Sequence, residues 1–300
     1  MISSASISRE VVQRKSSIIS RLDRVFWRAV LHATIILISV IWLTPTFGLL
    51  VSSFRPADQV ATSGWWTAFS TPFTFTLENY DQVLNAKNMG LSFANSLLIS
   101  VPTTILIVVI AAFTAFAFAW MRFPGRNVLF VCIVGMSIVP LQMTLVPVLR
   151  LFTTLGINGT FLAIWLADTG FGLPFAIYLL QNFFRELPRE MFESAEIDGA
   201  SSFTLFWRLA LPTSAPALVS LAVFQFMWAW NDLLGALLFL GGRSDVAPMT
   251  VTISNLVSSH GEGWQLLTAA AFVSMLLPLI IFLTLQRYFI RGILAGSVKG

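Results

Sequence analysis

The stretch FANSLLISVPTTILIVVIAAFTAFAFAW, residues 93–120, decides the fold: 28 residues pass without one charged side chain. A helix of about 20 mostly apolar residues crosses the roughly 30 Å of hydrocarbon in a bilayer. Working outward, five more stretches read the same way: about 29–54, 127–149 (interrupted by Pro140 and Pro147), 161–181, 216–240 and 266–286. The 300 residues as a whole agree, being 56% hydrophobic and 11% charged with a mean hydropathy of +0.81. A soluble domain carries about 25% charged residues. So few charges cannot cover a water-soluble globule of this size. That excludes a cytosolic enzyme, a disordered chain and a nucleic-acid-binding domain. The expected fold class is all-α: a polytopic membrane protein with six transmembrane helices.

Basic residues orient such a chain, because short cytoplasmic loops hold the excess of Lys and Arg. With the N-terminus inside, Arg9, Arg14, Lys15, Arg21, Arg24, Arg28, Arg122, Arg126, Arg185, Arg189, Arg208, Arg287, Arg291 and Lys299 lie inside, 14 in all. Arg55, Lys87, Arg150 and Arg243 lie outside, 4 of the 18. Both termini are therefore expected to be cytoplasmic, and the net charge of +4 is positive-inside bias, with no nucleic acid implied. The first apolar run is a full span behind a long polar lead, unlike a cleavable signal peptide. Residues 1–16 are Ser-rich and expected to be disordered. Ile18, Ile19, Leu22, Val25, Phe26 and Ala29 recur at helical spacing among arginines, which predicts an interfacial amphipathic helix within a cytoplasmic segment 1–28.

The chemistry-bearing residues are sparse. Cys132 stands alone and the two histidines, His32 and His260, are far apart in sequence, so no metal site is expected. None of the three lysines, Lys15, Lys87 and Lys299, closes a phosphate-cradling G-x-x-x-x-G-K-[ST] loop. Any ATP used must be held by another subunit. The outer segments about 55–92 and 241–265 are long, the first rich in aromatics, which suits packing at the membrane interface.

The polar loop between the fourth and fifth spans, LPREMFESAEIDGASSFTLFWRLALPTSAP (187–216), is too patterned for a linker. Pro188 suits the first turn of a helix, where a missing N–H is not needed. Glu190 and Glu193 place negative charge near its positive end. Gly199, after Asp198, is where glycine stops a helix in the left-handed conformation. A second short helix is predicted to carry Phe203, Phe206 and Trp207 and to end at Pro212. Helices this short are marginal alone, so they must pack on their own spans or seat in a partner's groove.

Glu193-Ser194-Ala195, three residues, Gly199, nine residues, then Leu209-Ala210-Leu211-Pro212 resembles the E-A-A-x3-G-x9-I-x-L-P loop of ABC importer permeases. Ser194 stands for the usual Ala and Leu209 for Ile, with the spacing intact. Asn95-Ser96-Leu97, the turn Arg122-Phe123-Pro124-Gly125-Arg126, Trp230-Asn231-Asp232 and the tail QRYFIRGILAGSVKG (286–300) are similar to the maltose-permease-type carbohydrate branch, so that the likeness covers about 29–300. The resemblance implies the type I ABC importer permease fold in the bacterial cytoplasmic (inner) membrane, with 29–300 as the six-helix permease domain including the loop 187–216. It implies that residues 190–207 couple to an ATPase dimer, through Glu190, Glu193, Ser194, Ala195, Asp198, Gly199, Ala200 and Phe203, with Pro212 closing the motif. It also implies that Gly296, Ser297, Val298, Lys299 and Gly300 reach the ATPase subunits. A second six-span sugar permease, an extracytoplasmic sugar-binding protein and a carbohydrate, an oligosaccharide or α-glucoside, complete the implied partners beside membrane lipid. ATP and Mg would be bound by the ATPase subunits and no cofactor by this chain, which is then a non-catalytic subunit.

Polar side chains inside spans are expensive and mark function. Asp168 in the fourth span, and Asp232 beside Asn231, Trp228 and Trp230 in the fifth, are candidates for the substrate path, since sugar faces stack on rings while hydroxyls bond to carboxylates. Equally, Asp232 could pair with another subunit. Gln142, between Pro140 and Pro147, is a further candidate for the path. Two other classes compete. A membrane-embedded enzyme needs a nucleophile with a base or a metal pair, and no HExxH or Ser–His arrangement presents itself. An ion-coupled secondary transporter acting alone could use Asp168 and Asp232 but leaves the loop spacing unexplained.

Overall fold

The computed structural model describes residues 4–70, 73–85, 88–256 and 263–295, with side chains between 26 and 288. Every element among them is helical. The chain divides into two compact units, residues 1–76 and 77–300.

In the first unit, α1 (Ser4–Ser53) runs as one helix through both the polar lead and the first span. The Ser-rich lead is thus helical from Ser4, not disordered. Before Pro45 it contains neither glycine nor proline, and Ala5, Glu10, Gln13, Arg14 and Lys15 are good helix formers. After it come α2 (Ala57–Thr62) and a tight turn of helix over Trp65–Phe69. Buried Arg55 ties this segment together, with Nη2 donating to Gln59 O (3.1 Å), Ser63 Oγ (2.6 Å) and Thr67 Oγ1 (3.2 Å). Trp65 closes onto α1, edge-on to Phe47 at 5.8 Å. Glycine is needed at position 48, where a Cβ would meet the indole at 2.6 Å.

The second unit contains α3 (Glu78–Asn85), α4 (Met89–Trp120), α5 (Arg126–Gly135), α6 (Leu141–Thr154) and α7 (Phe161–Arg185). The loop region follows as α8 (Arg189–Ile197), α9 (Ser202–Leu205), a π-helical turn over Phe206–Ala210 and α10 (Leu211–Thr213). Then come α11 (Ala215–Trp230), α12 (Leu234–Phe239), α13 (Met249–Ser254) and α14 (Trp264–Ala295). Four helices, α1, α4, α7 and α14, are long and apolar enough to span a membrane, and two bent pairs raise the number to six.

Those bent pairs correct the expected third and fifth spans. The third breaks between α5 and α6 with a bend of 102°. Pro140 forces its predecessor Val139 into extended backbone, which no helix can run through. The fifth helix stops at Trp230, ten residues short of expectation, and α11 instead forms its bent pair with Ser202–Thr213 at 75°. Asp232 Oδ1 accepts from Gly235 N (3.0 Å), so a side chain starts α12 after the break. Nor does Pro212 end its helix. The helical path from Ser202 runs on through it to Thr213.

The bundle core forms where α4 packs on α7 and α11, and α11 on α14. Trp165 Nε1 donates to Leu98 O (2.8 Å) and Trp120 Nε1 to Phe184 O (3.0 Å), so α4 and α7 run parallel. The α11–α14 pair is antiparallel, with Trp230 Nε1 donating to Ser274 O (3.2 Å) and Ser220 Oγ to Tyr288 O (3.1 Å).

Two of these indole bonds share a cause. Leu98 lies four residues before Pro102 and Ser274 four before Pro278, inside their helices. Proline has no N–H to give the carbonyl one turn back. Inside lipid such a carbonyl needs another donor, and in each case a tryptophan supplies it. Trp230→Phe is expected to lower stability by about 1–2 kcal/mol, the cost of leaving a buried carbonyl unpaired. Pro278→Ala, which restores the N–H, should remove most of that penalty. Thermal unfolding of both single variants and the double variant in detergent would measure the coupling, and strict additivity would contradict it.

Candidate functional site

The loop 187–216 folds into an element with two faces. Its inner face is aromatic. Phe192 is 1% exposed and stacks on Trp120 at 3.9 Å between ring centroids, 20° apart. Phe206 stacks on Phe113 at 4.5 Å and meets Phe116 edge-on at 5.3 Å. With Leu205, Ala210, Phe184 and Leu180 they form one buried cluster that fixes α8 and α9 to the ends of α4 and α7.

The turn between them is a complete Schellman cap. Ala200 N donates to Ala195 O (2.9 Å) and Gly199 N to Glu196 O (3.0 Å), satisfying the last carbonyls of α8. Gly199 adopts φ +83°, which only glycine takes without penalty. A Cβ there meets nothing within 4 Å, so the requirement is one of backbone and not of space. Ala195 and Ala200 pack together against the cluster. Ser201 Oγ then caps α9 by accepting from Thr204 N (3.3 Å).

The outer face is open. Glu190, Glu193, Ser194, Asp198, Gly199 and Pro212 are exposed, and beside them stand Ile197 at 86%, Phe203 at 66% and Trp207 at 50% exposure. Of the residues read from the motif, only Ala195 and Ala200 therefore face inward. Sequence reasoning passed over Phe192, Trp120 and Ile197. The visible signal was Phe192 at four residues from Glu196 and three from Ala195, on the side opposite Glu190 and Asp198. The C-terminal residues Gly296–Gly300 and His260 lie outside the described residues.

The candidate path residues separate. Trp230 is buried, ringed by Phe93 and Phe226 at 5.6 Å each and bonded to Ser274, so it packs α11 on its neighbours and does not line an opening. Asp168 is 1% exposed, inside the seam of α4 and α7. The Leu98–Trp165 bond and the approach of Gly172 to Ile107 bracket it at the level of Ser100 and Thr103. There Ser100 Oγ, Thr103 Oγ1, Asp168 Oδ2 and Thr169 Oγ1 are buried without hydrogen-bond partners among the described residues. Asp232 is half-buried at the break after α11, with Trp228 half-buried and Asn231 exposed beside it, and Gln142 is exposed on the first turn of α6. No cluster of three or more metal-ligating side chains occurs among the described residues.

Asn95 and Ser96 have a task that the sequence did not reveal. Asn95 Nδ2 donates to Asp245 O (3.0 Å) and Ala247 O (3.2 Å), while Ser96 Oγ accepts from Met249 N (2.8 Å). They bind the segment before α13 onto the first turns of α4.

Comparison with known proteins follows the same outline. The family described as binding-protein-dependent transport system inner membrane component matches residues 107–294. The chain is 53% identical to the osmoprotective compounds uptake permease protein GgtD of Synechocystis sp., over 91% of this chain and 93% of that one. It is 40% identical to the alpha-glucoside transport system permease protein AglG of Rhizobium meliloti, over 94% and 99%. Among solved structures, a subunit of a bacterial ABC transporter that imports the acidic polysaccharide alginate superposes with a TM-score of 0.72. It shares 20% identity, over 90% of this chain and 98% of that one.

Proposed function

Because the chain belongs to the family of binding-protein-dependent transport system inner membrane components, as a non-catalytic ABC transporter permease subunit, we propose that it imports a carbohydrate, an α-glucoside or other oligosaccharide. It does so with a second six-span permease, an ATPase dimer that binds the ATP and Mg, and an extracytoplasmic sugar-binding protein, in a bacterial cytoplasmic membrane. The relatives' names support the substrate class, as transporters of alpha-glucoside in one case and osmoprotective compounds in the other.

The single observation that carries the mechanism is the two-faced loop element. Its aromatic inner face couples it rigidly to α4 and α7, while Ile197, Phe203 and Trp207 present apolar surface to a partner. Short amphipathic helices that leave such a face open seat in grooves. Closure of an ATPase dimer around this element would push on the two parallel helices together, opening the path alternately to either side. The end of α14 lies on the same side of the bundle as the loop, which supports contact of the tail 296–300 with the same partner. Glu190, Glu193, Ser194 and Asp198 form the polar rim of the docking face. Asn231, Asp232 and Trp228, grouped at the break after α11, are the residues assigned to the sugar path, together with exposed Gln142. Asp168 supports it from within the seam.

Phe203→Glu and Trp207→Glu should each lower recovery of the ATPase with the purified chain at least tenfold and abolish sugar uptake, with the chain itself still folded in the membrane. The check is co-purification plus uptake of a labelled α-glucoside. Full recovery and uptake in both variants would remove the docking assignment.

A further inference from the structure

Since α4 and α7 run parallel, the turn after α4 and the join between α7 and α8 lie at one end of the bundle, the end that carries the loop. Between them opens a cleft of about 740 Å³ lined by Arg122, Arg126, Arg185 and Arg189, with Glu193 and Glu196 on its far side. Four guanidinium groups face two carboxylates. No ion pair joins them among the described residues, where Arg243–Asp245 is the salt bridge formed. Arg126 Nη1 donates to Met121 O (3.1 Å), which holds one of the four in place and leaves the cationic excess standing. Guanidinium forks are the side chains that suit phosphate oxygens.

The cleft does not end at the arginines. Arg126 and Arg185 also line a narrower crevice of about 270 Å³ that runs on between Phe118, Phe130 and Val131. It opens beside α5, where Val128 and Val131 are each 67% exposed. On its wall stands Gln181, 4% exposed, whose Oε1 has no donor among the described residues. A cationic cleft that narrows into an apolar crevice, joined to it at Arg126 and Arg185, has the shape and polarity of an amphiphile. It lies where spanning helices end, at the depth of lipid headgroups.

We propose that this site binds one anionic phospholipid. Its phosphate, as in phosphatidylglycerol, sits among Arg122, Arg126, Arg185 and Arg189, and an acyl chain lies along Phe118, Phe130 and Val131. Basic pockets between helix ends are a known way to hold acidic headgroups. Free phosphate would leave the apolar crevice empty, and an acidic peptide would not need it. The site shares only Glu193 with the docking face and none of its apolar residues Ile197, Phe203 and Trp207, so a lipid here would border a docked partner. It makes no use of the sugar assignment.

The test is native mass spectrometry of the chain purified from membranes with its accompanying subunits, followed by exchange into nanodiscs of phosphatidylglycerol or phosphatidylcholine. The wild type should retain one phosphatidylglycerol per chain, and Arg126→Gln/Arg185→Gln should lower that retention at least tenfold while the subunits stay associated. Val131→Asp, which acts on the crevice alone, should reduce retention without changing the basic cleft. Equal retention in wild type and the arginine variant would overturn the proposal. So would equal retention of phosphatidylcholine. Thermal stabilisation by inorganic phosphate as large as that by short-chain phosphatidylglycerol would reduce the site to an anion site. A photo-crosslinker at position 126 that captured protein and no lipid would assign the cleft to a partner subunit.

Discussion

Replacement of Gly199 by valine is expected to cut substrate uptake at least tenfold while the chain still inserts and folds. The turn holds φ at +83°, and a non-glycine residue in that region costs about 1–2 kcal/mol, more for a β-branched one. A tenfold change in an equilibrium corresponds to about 1.4 kcal/mol. No atom lies within 4 Å of the Cβ position, so the penalty comes from backbone alone and the buried cluster beneath is untouched. That predicts a graded series. Asparagine, which tolerates the left-handed region best, should retain most uptake, alanine less and valine least. Uptake in whole cells, together with ATPase stimulation by the loaded binding protein, would measure it. If valine matched wild type in both, the turn geometry would not matter to coupling.

The second large effect is expected from Phe192→Ala. Removing a fully buried aromatic costs about 3–5 kcal/mol, and this ring also forms the 3.9 Å stack on Trp120 that fixes α8 to the end of α4. The loss should be local, because Leu205 and Phe206 still anchor α9 through Phe113 and Phe116. The expected result is a loop element that is cleaved far faster by added protease near residues 189–199, with transport lost. Phe192→Trp, which keeps the stacking surface, should restore much of both. Protection equal to wild type in Phe192→Ala would show that the stack contributes little.

Much of this was legible in the amino-acid order. Apolar runs longer than a bilayer crossing set the spans, and Gly199 after Asp198 set the loop's turn, because each depends on local chemistry alone. The third span was readable only in part: Pro140 showed an interruption, but not that the two halves lie at 102° to each other. The early stop at Trp230 was not legible. The run from 216 to 240 is apolar enough to continue, and the local signal of a new helix is only the Asp232 carboxylate, which accepts from Gly235 N at the start of α12. Trp230 and Asp168 show the same limit. Both stand out in the sequence as polar-bearing residues in apolar helices, but that Trp230 packs on Phe93 and Phe226 and that Asp168 is buried in the seam depend on neighbouring helices that one sequence does not reveal. The loop's inner face was missed similarly, since Phe192 and Phe203 look equivalent until Trp120 and Phe113 are brought beneath the element.

The tryptophan bonds to Leu98, Ser274 and Phe184 have a consequence for motion. A proline kink in a helix is ordinarily a soft joint, free to bend because its carbonyl is loose. Here the kinks at Pro102 and Pro278 are each pinned by an indole from the adjacent helix, so α4 with α7, and α11 with α14, move as stiff couples. Flexing then falls to the elbow at Gly135–Pro140, the break at Asn231–Leu233 and the interior prolines that no indole pins among the described residues, Pro45, Pro147 and Pro174. Those residues, and not Pro102 or Pro278, set how far the helices can swing.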